Sequence, residues 1–476
     1  MLVITIGRFI QFMLLFAALK MATTLMPPAQ MAKVYLITSL FSIVALIFIN
    51  PIGMFINRRI HSWNNGGGIE NYFQLFWLYL LIVCVITYVV LEVLINVKLI
   101  QFHSDTGWIA AIVVGTLFSA TVNQTVIPGL NLLGYRNWFI GLTLATGVVC
   151  LLASTLLVEL IKAKAEYWQS GIIFGNFLVA CLGWKIFYRR INKKKNTAIL
   201  TKHHAIVLLK FALPIAVAVG LGWVQTQSYR FMMESSLGLH SLGLFAAGYG
   251  ISAGLISAFE SIFTTYLQPM FYKQVSNDIV VEQSSAWNDY AGAIFPSLIL
   301  VGFIVIATAP ELTRVMLGPQ YQSSYQFIVW GVIAEMARVA SGVYGMVAHA
   351  RMKTKLLLAP NLVGAILSIT LIWWLMPKYG SSGVGTALAL SSVAACIFTY
   401  ATTRNEFVAK LPLKMLVASM CMGVGIMMLT KFIRWLVGGN GSLVAIATIL
   451  FTVGITFLLF QYILLRHLLH GSPLDE

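Results

Sequence analysis

Residues 356–376 read LLLAPNLVGAILSITLIWWLM, an apolar run without an ionisable side chain. A run of about 20 such residues crosses the hydrocarbon core of a bilayer as a helix, because a helix satisfies every backbone group within its own segment. A second run, GVGTALALSSVAACIFTYA at 383–401, follows directly after PKYGSS. The two runs predict a pair of membrane helices joined by a tight turn.

The whole chain has the same character. Of its 476 residues, 59% are hydrophobic and 10% are charged, whereas soluble domains are about 25% charged. This composition excludes a soluble enzyme and a disordered chain. We predict an all-α polytopic membrane protein with about 14 transmembrane helices, the first of them a retained span and not a removable signal. The other spans are expected near 4–26, 31–56, 72–96, 107–127, 138–160, 168–188, 206–232, 243–267, 290–310, 325–348, 412–435 and 442–465.

The basic residues predict the orientation. The chain has 31 Lys and Arg against 15 Asp and Glu, for a net charge of +16. The basic residues are distributed in small groups between apolar runs. With the N-terminus in the cytoplasm, the inside loops hold more than twice as many Lys and Arg as the outside loops. We therefore expect a multi-pass protein of the bacterial inner membrane with both termini cytoplasmic. Short basic groups suit contact with anionic membrane lipids and not with nucleic acid.

Motifs for catalysis or cofactors are not found. The five cysteines are scattered through apolar runs with no CxxC and no His at ligand spacing, so neither a metal site nor a disulfide framework is predicted. No GxxxxGK[ST] motif occurs, which argues against ATP as the energy source. The predicted outside loops are too short for a catalytic domain. We expect no enzyme activity, no catalytic residues and no cofactor.

Two segments indicate an internal repeat. Lys20 and Arg230 lie at the same distance before the start of the next apolar run in two segments, FAALKMATTLMPPAQMAKVYLITSL at 16–40 and VQTQSYRFMMESSLGLHSLGLFAAGY at 224–249. Repeated halves of this kind are typical of transporters. The predicted organisation is an N-terminal lobe at 1–188, a basic cytoplasmic linker at 189–205, a C-terminal lobe at 206–401, and two additional helices with a short cytoplasmic tail at 402–476.

Three segments resemble bacterial polysaccharide (O-antigen-type) flippases, the lipid-linked oligosaccharide translocases of the multidrug/oligosaccharidyl-lipid/polysaccharide exporter superfamily. They are LLKFALPIAVAVGLGWVQTQSYRFMMESSLGLHSLGLFAAGYGI at 208–251, APELTRVMLGPQYQSSYQFIVWG at 309–331, and AHARMKTKLLLAPNLVGAILSITLIWWLMPKYGSSGVGTALALSS at 348–392. The resemblance is strongest over 206–400. It departs at Tyr229, where family members often carry an acid before the Arg.

The resemblance implies both a fold and a function. The fold would be MATE-like, with two six-helix lobes, two C-terminal helices and a central cavity that opens alternately to each side. The protein would be a flippase that moves an undecaprenyl-pyrophosphate-linked oligosaccharide from the cytoplasmic to the periplasmic leaflet for surface polysaccharide biosynthesis. Its partners would be that lipid, membrane lipids and other polysaccharide-assembly proteins.

Five ionisable residues fall deep within predicted spans. Each costs roughly 2.5–3.5 kcal/mol at the centre of a membrane helix, so we expect them to face a polar interior. Lys20, Arg230 and Arg338 are the candidate substrate-binding residues, since Arg and Lys replace the hydration of a pyrophosphate. Glu260 and Glu335 are the candidates for ion coupling.

Other interpretations of these residues stay open. Glu335 and Arg338 are i,i+3 neighbours that can simply pair, and Lys20 and Arg230 can snorkel to the outer interface. Glu260 can bond a neighbouring helix. Helical spacing also predicts two polar faces: Ser257, Glu260, Thr264 and Gln268 on the eighth span, and Glu335, Arg338, Gly342, Gly345 and His349 on the tenth.

Two rival functions remain beside the flippase. A multidrug/cation antiporter would share the fold. If Glu335 and Arg338 cancel each other, however, Lys20 and Arg230 outnumber Glu260, and an excess of basic side chains in the cavity argues against cationic drugs. A membrane polysaccharide polymerase or ligase would share the hydropathy but usually needs a large outside loop. The sequence leaves open the sugar repeat, the coupling ion, the oligomeric state and the role of the last two helices.

Overall fold

The computed structural model describes residues 2–66, 68–97, 106–191, 202–275, 280–351, 353–407, 410–436 and 443–470. Throughout these residues the regular elements are helices, and no β-strand occurs among them. The predicted all-α fold class is therefore confirmed. Most of the predicted linker at 189–205, and residues 471–476 of the predicted tail, lie outside the described residues.

Ten helical runs within the described part of the chain are long and apolar enough to cross a membrane, and two shorter apolar helices accompany them. Two of the ten, Ile206–Val275 with 70 residues and Lys355–Thr403 with 49, are long enough to cross an about 30 Å core twice at 1.5 Å per residue. The protein is a multi-pass membrane protein. The predicted count of 14 spans stays a prediction.

The chain divides into two compact units, Met1–Trp223 and Val224–Glu476. The predicted lobe boundaries, which were drawn from the basic linker, stay predictions. The helices of the N-terminal unit are α1 (Leu2–Leu25), α2 (Pro28–Val44), α3 (Asn50–Gly66), α4 (Ile69–Asn96), α5 (Thr106–Leu132), α6 (Arg136–Leu160), α7 (Ala165–Arg190) and most of α8 (Lys202–Gln227).

Aromatic side chains fill one end of the N-terminal unit. The ring of Phe73 on α4 lies 5.1 Å from that of Phe187 on α7, and Trp184 stacks on Phe187. The hydroxyl of Tyr188 donates to Glu70 Oε1 at 3.0 Å. Aromatic pairs of this kind add stability beyond the area they bury, so α4 and α7 are held together at this end.

Helices α6 and α7 approach each other closely along their length. Gly175 faces Cys150 so tightly that a Cβ at position 175 would lie 2.7 Å from the Cys150 sulfur, and Gly171 meets the backbone of Ser154 in the same way. The Ser154 hydroxyl donates to the Trp168 carbonyl at 2.8 Å. Small residues at such a crossing let two backbones pack directly in a membrane.

The C-terminal unit contains two long helices that glycine interrupts. Gly238 has φ 78° inside α9, and Gly380 has φ 57° inside α13. A side chain is disfavoured in this left-handed region, whereas glycine adopts it freely. Both breaks fall in the intervals that the sequence predicts as turns. The helices are α9 (Tyr229–Val275), α10 (Val280–Ala307), α11 (Ala309–Met316), α12 (Tyr325–Ala350), α13 (Leu358–Thr403), α14 (Leu413–Leu436) and α15 (Leu443–His470).

The last two helices belong to the C-terminal unit. Both α14 and α15 pack on α10, through a cluster of buried apolar side chains that includes Leu300, Ile426 and Ile449. Arg434 of α14 also forms an ion pair with Glu311 of the short helix α11: Arg434 Nε donates to Oε1 at 2.9 Å and Nη2 donates to Oε2 at 2.6 Å. The Glu311 side chain is only 2% exposed, so the carboxylate of this bidentate pair is buried.

Candidate functional site

Three of the predicted residues form one cluster of charges in the C-terminal unit. Arg338 Nε donates to Glu335 Oε2 at 2.7 Å, and Arg338 Nη2 donates to Glu260 Oε2 at 2.7 Å. The i,i+3 pairing of Glu335 with Arg338 is therefore present, and Glu260 joins it from another helix. We call Glu260, Glu335 and Arg338 the ion cluster.

The members of the ion cluster differ in burial. The Glu335 side chain is 8% exposed, that of Glu260 29% and that of Arg338 38%. The Tyr249 hydroxyl donates to the second oxygen of Glu335 at 3.3 Å. A guanidinium carries five N–H donors, and the two ion pairs use two of them. With all three groups ionised, the cluster has one net negative charge.

A close crossing of α9 and α12 brings the ion cluster together. Gly331 on α12 faces Ser252 on α9, where a Cβ at position 331 would lie 2.8 Å from the serine side chain. The Ser252 hydroxyl donates to the Ile328 carbonyl at 2.8 Å. Glu335 follows Gly331 by about one helical turn, and Glu260 follows Ser252 by about two. The crossing therefore brings both carboxylates within reach of Arg338.

A cavity of about 320 Å³ adjoins the ion cluster. Glu260, Thr264 and Gln268 line it from α9, as their predicted common face requires, while Ser257 is not among its lining residues. Gly342 and His349 from α12 and Tyr290 from α10 are also part of its wall. The Glu260 carboxylate is thus shared between Arg338 and this cavity. We call it the ion-cluster cavity.

Lys20 and Arg230 lie in different units. Lys20 is half-buried on α1. Arg230 is half-buried at the start of α9, where its Nε donates to the Tyr229 hydroxyl at 3.3 Å and its Cζ lies 5.7 Å from the centroid of that ring. Tyr229 therefore contacts the Arg230 side chain through its hydroxyl and its ring face. That Lys20 and Arg230 share one cavity stays a prediction.

Metal binding was not predicted from the sequence. Among the described residues, no group of three or more His, Cys, Asp and Glu is arranged to hold a metal ion.

The sequence interpretation missed a larger cavity in the N-terminal unit. Its volume is about 630 Å³, and no ionisable Asp, Glu, Lys, Arg or His is found among the described residues that line it. Instead it has six carboxamide side chains. We call it the amide cavity; its amides are Gln11, Asn57, Asn123, Gln124, Asn131 and Asn176. The signal in the sequence is the trio of uncharged amides that α5 carries within an apolar span.

The fold is the one that multidrug resistance MATE transporters of the MOP superfamily share with the lipid II flippase MurJ. The inward closed conformation of MurJ superimposes with a TM-score of 0.71 at 14% sequence identity, covering 98% of this chain and 100% of that one. An inward-facing MATE transporter gives a TM-score of 0.64 at 12% identity, over 83% of this chain and 94% of that one. A mutant form of the Vibrio cholerae MATE transporter VcmN gives 0.50 at 14% identity, over 84% and 93%. No protein-family model and no curated protein sequence matches the chain.

Proposed function

We propose that this protein is a flippase that carries a lipid-linked oligosaccharide with an anionic pyrophosphate head from the cytoplasmic to the periplasmic leaflet of a bacterial inner membrane, with both termini in the cytoplasm. The likeness in fold to MurJ, which extends over both chains almost completely, supports transport of a lipid. The protein then acts by alternating access and not as an enzyme, for surface polysaccharide synthesis beside other assembly proteins.

The observation that carries the proposal is the presence of Lys20 and Arg230 on apolar helices of both units. A basic side chain in a membrane helix costs roughly 2.5–3.5 kcal/mol, and a pyrophosphate head offsets that cost because it accepts charge-assisted hydrogen bonds from both. We assign these two residues to headgroup binding. Lipid tails would stay in the bilayer while the head crosses the polar interior.

The ion cluster provides the coupling step. Glu260 holds Arg338 and at the same time lines the ion-cluster cavity. A proton or metal cation that reaches Glu260 through this cavity competes with Arg338 for the carboxylate. Arg338 then keeps its pair with Glu335 and turns its freed donors to the substrate phosphate. In this way an ion gradient drives the cycle, with Glu260 and Glu335 as coupling residues and Arg338 as a binding residue.

Reconstituted vesicles test the proposal. The protein is placed in liposomes with a fluorescent polyprenyl-pyrophosphate oligosaccharide, and flipping is measured as access of a membrane-impermeant lectin to the sugar. Lys20→Ala with Arg230→Ala should lower the initial rate about 100-fold or more, because two hydrogen bonds to a charged group contribute about 3–6 kcal/mol together.

The matched control is Lys431→Ala, which removes an exposed basic residue from α14 and should leave the rate unchanged. Lys20→Arg with Arg230→Lys should restore most of the activity. An unimpaired rate in the double alanine variant contradicts the role given to the two residues. Wild-type vesicles that never expose the sugar contradict the flippase itself.

A multidrug/cation antiporter is the second candidate. The MATE fold at a TM-score of 0.64 and the net negative charge of the ion cluster favour it. Efflux of cationic dyes from cells that lack their own pumps separates the two. Dye efflux that Glu260→Gln abolishes, together with no lipid flipping, supports the antiporter.

A further inference from the structure

The amide cavity is the feature of the N-terminal unit that headgroup binding and ion coupling do not use. A volume of about 630 Å³ falls in the range of small-molecule pockets, roughly 300–1,000 Å³, and is far larger than a single ion needs. Hard cations bind preferentially to carboxylates, and the described lining residues include none. An acyl chain would offer the amide groups it covers no hydrogen-bonding partner, at a cost in an apolar medium.

Two of the amides are held rigidly. The Asn123 amide on α5 donates to Thr146 Oγ1 on α6 at 3.1 Å and to the Asn176 carbonyl on α7 at 3.3 Å. Asn176 in turn donates to the Ile172 carbonyl at 3.0 Å. These bonds, with the close crossing of α6 and α7, fix one wall of the cavity in advance, and preorganised walls lower the cost of binding.

The remaining wall presents both donors and acceptors. Gln124 and Asn131 lie about two helical turns apart on α5, so they face the same side, and each carboxamide offers two N–H donors and one acceptor oxygen. Between them stands Pro128, which has no N–H, so the carbonyl of Gln124 lacks the donor that position 128 would supply in a regular helix. Trp168 and Phe139 add aromatic surface.

A polyhydroxylated sugar ring is a ligand that suits a cavity lined by uncharged hydrogen-bond donors and acceptors together with aromatic surface. Each sugar hydroxyl both donates and accepts, as a carboxamide does, and the apolar face of the ring packs on an aromatic side chain. We propose that the amide cavity binds an uncharged sugar residue and, resting on the proposed function, that it recognises a sugar of the lipid-linked oligosaccharide. The basic residues then bind the head, and the amide cavity selects among glycans.

Cys150 provides a direct probe, because it lines the same cavity. In a variant that keeps Cys150 and replaces the other four cysteines by Ala, the rate of N-ethylmaleimide labelling is measured with a panel of methyl glycosides of neutral hexoses and N-acetylhexosamines. At least one glycoside should slow labelling in a saturable manner. Sorbitol at the same concentration is the control for viscosity and osmotic effects and should not protect.

Two amide variants and one control follow in the same background. Gln124→Leu and Asn131→Leu should each weaken protection by that glycoside about ten-fold, which corresponds to about 1.4 kcal/mol. Gln74→Leu, which changes an exposed amide on α4 outside the cavity, should leave protection unchanged. Labelling rates without glycoside verify that the variants keep the cavity intact.

The outcomes separate this inference from the proposed function. Protection of Cys150 by a glycoside in a protein that flips no lipid supports the sugar site and refutes the flippase. Lipid flipping without protection by any glycoside, and with normal rates for Gln124→Leu and Asn131→Leu, leaves the flippase standing and overturns the sugar site. The cavity would then hold water alone.

Discussion

Replacement of Arg338 by Met gives the sharpest test of the ion cluster. The substitution leaves Glu335, 8% exposed, in contact with the Tyr249 hydroxyl, and leaves Glu260 facing the ion-cluster cavity. Removing one partner of a buried ion pair costs about 3–5 kcal/mol. Because Glu260 keeps access to the cavity, we expect the lower end of this range, about 3 kcal/mol.

Thermal unfolding in detergent measures this loss. An unfolding entropy of about 2.1 cal/mol/K per residue converts 1 kcal/mol into a shift of about 2 °C for a unit the length of the C-terminal one. Arg338→Met should therefore lower Tm by about 6 °C. Arg404→Met, at an exposed position at the end of α13, is the matched control and should shift Tm by about 1 °C or less.

A neutralised cluster completes the test. Adding Glu260→Gln and Glu335→Gln to Arg338→Met removes the uncompensated charges, and most of the lost stability should return because amides replace carboxylates at nearly the same volume. Equal Tm values for Arg338→Met and Arg404→Met would refute the energetic role of the cluster. So would a triple variant that is no more stable than Arg338→Met alone.

Three further substitutions test the packing. Arg434→Met leaves the buried carboxylate of Glu311 without its ion-pair partner. It should lower the free energy of unfolding by about 3–5 kcal/mol, seen as a lower Tm and as faster proteolysis after α13. Gly171→Val drives a side chain into the backbone of α6 and should cost about 1–3 kcal/mol or more, whereas Gly141→Ala, with open space around its Cβ, should be nearly neutral. Gly380→Ala forces a side chain into a positive-φ conformation (φ 57°, ψ −138°) and should cost about 1–3 kcal/mol, measured by thermal unfolding.

The sequence predicts the helices well because apolar runs of membrane length leave the backbone few alternatives. The breaks at Gly238 and Gly380 lie inside the predicted turns, although α9 continues to Val275, well beyond the predicted end of the eighth span. The short helix α11 was not predicted. Its eight residues make about two turns, which is too short to give the apolar signal of a membrane span.

The ion cluster was partly predictable. The pairing of Glu335 with Arg338 follows from their spacing on one helix, and the shared face of Glu260 and Gln268 follows from helical periodicity. The bond from Arg338 to Glu260 joins residues 78 positions apart, and only the crossing of α9 with α12 creates it. Periodicity within one helix carries no information about such a partner.

The amide cavity escaped the sequence interpretation for a different reason. Carboxamides cost less in a membrane helix than charges do, so Asn123 stands out from an apolar run less than Lys20 does. The six amides also come from four helices, and no spacing rule connects them. A proline within α5 beside several amides was the one local signal.

The attachment of α14 and α15 to α10 limits how far the protein can be trimmed. A truncated variant that stops at Thr403 would lose the helices that cover one side of α10, and Leu300 and its neighbours would become exposed. Glu311 would also lose its ion-pair partner Arg434. The last two helices are therefore an integral part of the C-terminal unit, and a shortened version of this protein cannot be obtained by deleting them.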